Sequence, residues 1–93
     1  MNYTFNDDSP IFQQLAKALE DDIFLCTYKE GSAIPSTTEL SVALHINPAT
    51  VLKAMNLLLD AGLNEKKRGL GMLVKQGAVE RIKERRKSLF QSR

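Results

Sequence analysis

Residues 34–74 read IPSTTELSVALHINPATVLKAMNLLLDAGLNEKKRGLGMLV, and the start and stop signals in this stretch decide the fold. Ser36 and Glu39, three residues apart, have the form of a capping box, in which each side chain satisfies a backbone N–H that the helix would leave free. Asn47 followed by Pro48 opens a second helix. The Asn side chain accepts from the first free amides, and the Pro has no N–H to leave unpaired and already holds a helical φ. Leu44 to Ile46 leave only a few residues to turn the chain between the two helices. Gly62 ends the longer one, and a basic run broken by Gly69 and Gly71 follows. The order predicts a mainly α fold with a small β-hairpin: a helix-turn-helix followed by a wing.

Periodicity fills in the elements. A short helix from Thr37 to Leu44 is expected to bury Leu40, Ala43 and Leu44. The longer helix, from Pro48 to about Ala61, carries an apolar stripe of Val51, Ala54, Met55 and Leu58. Ala49, Lys53, Asn56 and Asp60 then lie about half a turn away, with Thr50 and Leu57 on one flank. Upstream, Ser9 is placed to cap a helix beginning at Pro10, whose buried stripe would run through Phe12, Leu15, Ala16, Leu19, Ile23 and Cys26. Before it, Tyr3 and Phe5 suit either a short edge strand or a packed tail. Lys29 to Ser32 form a polar turn, after which Ile34 can pair as a short strand. Leu63–Glu65 and Met72–Lys75 read as two strands around the glycine-containing loop. A last helix, from Gly77 to Arg93, has a thin apolar face of Val79, Ile82, Leu89 and Phe90. The division is a tail over residues 1–8, a winged helix-turn-helix over 9–75 and a carboxy-terminal helix over 76–93.

Composition narrows the function. Ninety-three residues can bury one modest core, so a separate ligand-sensing domain is expected to be absent or tiny. No run of roughly eighteen apolar residues suggests a membrane helix. The amino end, MNYTFNDDS, is acidic and lacks the basic flank and apolar stretch of a signal peptide, which points to the cytoplasm. Cys26 is the only cysteine and His45 the only histidine; neither has partners at catalytic or metal spacing, and a buried thiol and a surface turn residue are the readings they support. Glu20-Asp21-Asp22 suggests a cation site only until helical geometry is considered, since adjacent residues point apart and no carboxylate follows at loop spacing. No catalytic residue, metal or cofactor is expected.

Charge is divided along the chain. Residues 1–50 hold two lysines against seven acids, and residues 51–93 hold eleven cations against four acids, which balances to +2. Such polarity suits a domain that meets a polyanion in one orientation. Small residues at the amino end of the longer helix, Ala49 and Thr50, let it enter the roughly 12 Å major groove of double-stranded DNA, with Lys53 and Asn56 extending its reach. Lys66-Lys67-Arg68 beside a glycine turn fits a phosphate-facing wing. Arg81 to Lys87 are open to several readings: a solvated face, a basic arm on phosphate, a cap on the first helix, or part of a helix that pairs with a second subunit.

The same stretch resembles the winged-helix domain of the GntR family of bacterial transcription regulators. The resemblance is carried by Ile34, Pro35, Ser36, Glu39, Leu40, Thr50, Val51, Ala54, Leu58, Gly62, Leu63, Gly69 and Gly71, and the lead-in from Asp7 to Ile23 is similar to the family's first helix. Asn47-Pro48-x-Thr50-Val51 followed by Lys53-Ala54 is similar to the wording of the YtrA-like branch. The resemblance implies Ser36, Thr38, Asn47, Pro48, Ala49, Thr50, Lys53, Arg68 and Gly69 as the DNA-binding set, with the wing tip along the minor groove. It also implies a homodimer joined through the last helix on a palindromic operator, its recognition helices roughly 34–36 Å apart. The expected function is sequence-specific regulation of transcription, of the repressor type; a protein-interaction or RNA-binding module without an operator is the alternative. Neither a membrane nor a small-molecule effector is assigned. Many relatives carry Arg where this chain has Thr38, Pro48 and Leu52, and in several of them those arginines contact DNA; Pro48 agrees with the YtrA-like wording, so Thr38 and Leu52 are the departures. An aliphatic residue is usual at Asn64, a polar one at Leu70, and Thr-Phe at Met72-Leu73. The missing arginines shift the expected weight of phosphate binding onto Lys66 to Gly69.

Overall fold

The structure, a computed structural model, describes residues 3–91, with side chains as far as Ser88. The elements are α1 (Ile11–Phe24), α2 (Thr37–Leu44), α3 (Pro48–Asp60), β1 (Asn64–Lys67), β2 (Gly71–Val74) and α4 (Ala78–Gln91). Leu15, Leu19 and Ile23 of α1, Leu40 of α2, Val51, Met55 and Leu58 of α3, Leu63, Val74, and Ala78 and Ile82 of α4 form one buried core. The stripe expected on α3 is the buried one, Ala54 included. Of the residues expected inside α2, only Leu40 is fully buried; Leu44 is half-buried and Ala43 is exposed. A helix of eight residues has two turns, too short to present three rows of side chains to one core.

Both start signals of the central stretch operate. Ser36 Oγ accepts from the Glu39 N–H while Glu39 Oε1 accepts from the Ser36 N–H, each at 3.1 Å. Asn47 Oδ1 accepts from the Ala49 N–H at 2.8 Å, with Pro48 at the first helical position. Between the two helices His45 adopts the left-handed conformation, φ 55°, and the Ser41 hydroxyl donates to the Ile46 carbonyl at 2.6 Å, tying the turn to α2.

Helix α1 departs from expectation at both ends. Ser9 does not cap it. The Pro10 carbonyl accepts from the Gln13 and Gln14 amides, so the helix begins at Ile11, and the Gln14 side chain donates back to the Ser9 and Asn6 carbonyls. At the other end the chain leaves the helix through Cys26 at φ 62°: the Cys26 N–H donates to the Ile23 carbonyl and the Thr27 N–H to the Asp22 carbonyl. These paired bonds are a Schellman ending with cysteine where glycine is the common choice. The left-handed residue swings its side chain off the helix face, and the thiol is exposed rather than buried.

The wing hairpin is antiparallel, Asn64 facing Val74 and Lys67 facing Gly71. Pairing therefore extends further toward the tip than expected, enclosing Lys66 and Lys67 and leaving Arg68-Gly69-Leu70 as the turn. The segment before α2 lies along β2. Ile34 donates to the Met72 carbonyl and Val74 to the Ser32 carbonyl, each at 2.9 Å, and the bridge itself falls on Ala33 opposite Leu73. Tyr3 and Phe5 take the tail alternative: they form no strand, both lean on the core, and the Tyr3 hydroxyl donates to Asp22. Burial, reinforced by that carboxylate, raises the Tyr3 hydroxyl pKa above its ordinary value.

Candidate nucleic-acid interface

One face of α3 stays outside the core. Pro48, Ala49, Leu52, Lys53 and Asn56 are exposed and recur at spacings of three and four, so they form a continuous strip along the helix, with Thr50 half-buried on its flank. The Lys53 ammonium lies 5.6 Å from the centre of the Phe12 ring, a cation–π contact in which α1 holds the lysine over the strip.

Leu52 and Met55 of α3 meet the amino end of α2 and the wing at a cleft of about 190 Å³, lined also by Ser36, Thr37, Lys66, Gly71 and Met72. Three separate elements converge there, which brings Ser36 beside the wing. Thr38 is not part of that cleft. It borders a shallow hollow with Pro35, Glu39, Val42 and Ala43. The side-chain oxygens of Ser36 and Asn47 serve as helix caps, so what these residues add to the site is the placement of α2 and α3.

At the wing tip, Arg68, Gly69 and Leu70 are exposed, and Gly69 has φ +81° with open space where a side chain would begin. Glycine there lets the turn close and keeps its surface thin. Among the described residues no ion pair engages Lys53, Lys66, Lys67 or Arg68. At the root of the wing, Asn64 is buried and neither its amide nitrogen nor its carbonyl oxygen meets a protein partner, a burden of about 1–3 kcal/mol.

The cations of α4 behave differently. Arg86 pairs with Asp21 at 2.5 Å and lies 4.6 Å from the centre of the Phe24 ring, and Arg85 reaches Glu20 at 3.5 Å. Arg81 Nε donates to the Ala61 carbonyl at the end of α3. Glu30, in the turn before α2, receives the Gly77 and Val79 amides on its two carboxylate oxygens, each at 3.0 Å. Those two backbone bonds hold the Glu30 carboxyl below its ordinary pKa. The acidic run Glu20-Asp21-Asp22 is thus engaged by α4 and by Tyr3. Ala78 and Ile82 are buried against the core and Val79 is half-buried; the side chains of Leu89 and Phe90, expected on the same face, lie outside the described residues. As far as Arg86, α4 is a cap on α1.

Sequence reasoning marked position 52 only as one that lacks the relatives' arginine and gave the leucine, which is 52% exposed in the strip, no role of its own; it missed Glu30, which fixes the start of α4. Leu52 was findable. It lies one turn beyond Pro48, on the flank of the buried stripe where α3 faces the wing. Nothing near Glu30 in the sequence announces a partner 47 residues away.

A helix-turn-helix with a β-hairpin wing and one polar-edged, exposed face on its second helix is a winged-helix domain. Residues 11–74 match the model of the gntR family of bacterial regulatory proteins, and the chain belongs to that family. It is 31% identical over 70 residues, 75% of its length, to the HTH-type transcriptional repressor YtrA of Bacillus subtilis (strain 168), and spans about half, 54%, of that relative. Among solved structures it is similar to a GntR family transcriptional regulator from Listeria monocytogenes (26% identity, TM-score 0.82, 95% of this chain and 80% of the other). It is also similar to YtrA from Sulfolobus acidocaldarius, a GntR-family transcription factor (25% identity, TM-score 0.78, 99% of this chain and 83% of the other). The family is one of regulatory proteins rather than enzymes. No helix among the described residues is long and apolar enough to cross a membrane.

Proposed function

We propose that this protein is a sequence-specific DNA-binding regulator of transcription, of the repressor type, acting in the cytoplasm as a homodimer on a palindromic operator. The observation that carries the reading is the pairing pattern of its cations: those on the α3 strip and the wing are exposed and meet no carboxylate among the described residues, whereas Arg85 and Arg86 of α4 neutralise the acidic side of α1. In this reading the amino end of α3 enters the major groove with Ala49, Thr50 and Lys53 against base edges, and Arg68 and Gly69 follow the backbone into the minor groove. Ser36 and Asn47 contribute by capping and so placing α2 and α3, Thr38 by an exposed hydroxyl in the first turn of α2, and Pro48 by its exposed ring at the start of α3.

The homodimer rests on the family resemblance and on the extent of α4, which runs to Gln91, five residues past Arg86. Ala78 and Ile82 are committed to the core, so the second subunit is assigned to the distal part of the helix. Selection of duplexes from a random pool, followed by titration, tests the whole reading. The expected result is a palindromic site whose affinity falls steeply with salt and falls further in Lys53→Ala and Arg68→Ala. Equal binding by wild type and both variants would place the interface elsewhere. A strict monomer in light scattering at high concentration, together with indifference to sequence, would favour a protein- or RNA-binding module instead.

A further inference from the structure

Leu52 projects from the strip of α3 that the proposed function assigns to the major groove, and it has an apolar neighbourhood of its own. Pro48 is one turn earlier, Ala49 is three residues away, and all three are exposed. Scattered exposed leucines are ordinary on protein surfaces. This one is not scattered. It borders the cleft shared with Lys66 and the start of α2, and Lys53 is its sequence neighbour. Among the described residues neither lysine is in an ion pair. An apolar patch framed by uncompensated cations is complementary to a surface that presents methyl groups between phosphates. In the major groove one base pair component does so, the C5-methyl of thymine.

We infer that Leu52, with Ala49 beside it, is a specificity determinant that reads thymine methyl groups, so that each operator half-site carries a thymine under this turn of α3. The inference rests on the DNA-binding reading and deepens it. A methyl contact releases no counterions, so its loss changes affinity without changing the salt slope. A phosphate contact would not give that signature, and a general loosening of the domain, which also leaves the salt slope alone, would weaken thymine and uracil duplexes equally.

The test uses the full chain and the duplex recovered by selection, with each thymine replaced in turn by deoxyuridine, which removes only the methyl. Wild type is expected to lose roughly fourfold in affinity at one or more positions per half-site, the fold-change that burying one methyl-sized group is worth. Leu52→Ala should bind the thymine and uracil duplexes alike, with the wild-type salt slope. Leu52→Met, which keeps an apolar head at the position, should retain the discrimination while melting at the wild-type temperature. Indifference of wild type to every methyl, or undiminished discrimination in Leu52→Ala, overturns the inference while leaving DNA binding intact. A correctly melting Leu52→Met variant that discriminates no longer also overturns it. A selection that returns no preferred duplex, or preferred binding to RNA, removes the DNA-binding reading itself and this inference with it.

Discussion

The wing and α4 are the two basic segments of this chain, and they use their charge in opposite ways. Lys66, Lys67 and Arg68 sit on a hairpin whose tip is exposed, and no carboxylate among the described residues answers them. Arg81, Arg85 and Arg86 are each spoken for: by a helix-end carbonyl, by Glu20, and by Asp21 with the Phe24 ring. A run of positive residues is therefore not one kind of feature. Where the backbone carries it past acids, the run holds helices together; where the backbone lifts it clear, the charge remains available to a polyanion.

The largest effect expected from breaking this contrast is on the wing. Replacing Lys66, Lys67 and Arg68 together by Ala or Gln should weaken operator binding by roughly several hundredfold near 0.1 M salt and flatten the salt slope by about 3, while thermal stability stays at the wild-type value. Fluorescence anisotropy across a salt series reads both quantities. Gly62→Ala comes next and acts on stability. Gly62 ends α3 at φ +75°, its N–H and that of Leu63 donating to Leu59 and Leu58, and a Cβ there would sit 2.8 Å from Arg81 Nε. The left-handed conformation alone should cost about 1–2 kcal/mol in denaturant unfolding, and displacement of Arg81 adds to it.

Arg86→Ala should cost about 1 kcal/mol of stability, a partly exposed ion pair plus a cation–π contact, and leave DNA affinity per folded molecule unchanged. If that variant instead lost affinity with a reduced salt slope and no change in melting, α4 would belong with the wing. The smallest effect is expected at Glu30, whose depressed pKa makes its contribution depend on pH. Because the folded-state pKa lies below the unfolded one, the stabilisation is fully present above the ordinary carboxylate range and is lost as pH falls through the lowered folded value. Glu30→Gln should remove that part of the acid dependence, seen as convergence of the wild-type and variant melting curves at low pH.

How far the fold could be read in advance depended on where each signal resides. Helix ends illustrate it. Gly62 announces the Schellman ending of α3 because glycine is the residue that adopts the left-handed conformation without strain. Cys26 makes the same pair of backbone bonds at the end of α1 with no such announcement, and periodicity alone carries the stripe one turn too far. Ser36 with Glu39 and Asn47 with Pro48 were legible because cap and partner lie within three residues of each other. Ser9 was misleading for the same reason: it has the chemistry of a cap, but Pro10 supplies the carbonyl that starts α1. In the candidate site, Lys53, Ala49 and Arg68 were legible from the helical period and the glycine turn. Leu52 was marked only as a place where the relatives' arginine is missing, because a leucine offers no charge or hydrogen bond from which a contact could be read.

The sequence by itself determined the local events: the order of the helices, the caps that start α2 and α3, the stripe of Val51, Ala54, Met55 and Leu58, and the position of the wing. These depend on interactions within about one helical turn or one hairpin, which residue type and spacing specify directly. Only the tertiary structure decided which cations are free. The partners of Arg81, Arg85 and Arg86 lie on other elements, 65 residues away in the case of Asp21, and their meeting depends on how α4 leaves β2 and crosses α1. Charge along a chain is a local property, but neutralisation is a property of three-dimensional neighbours.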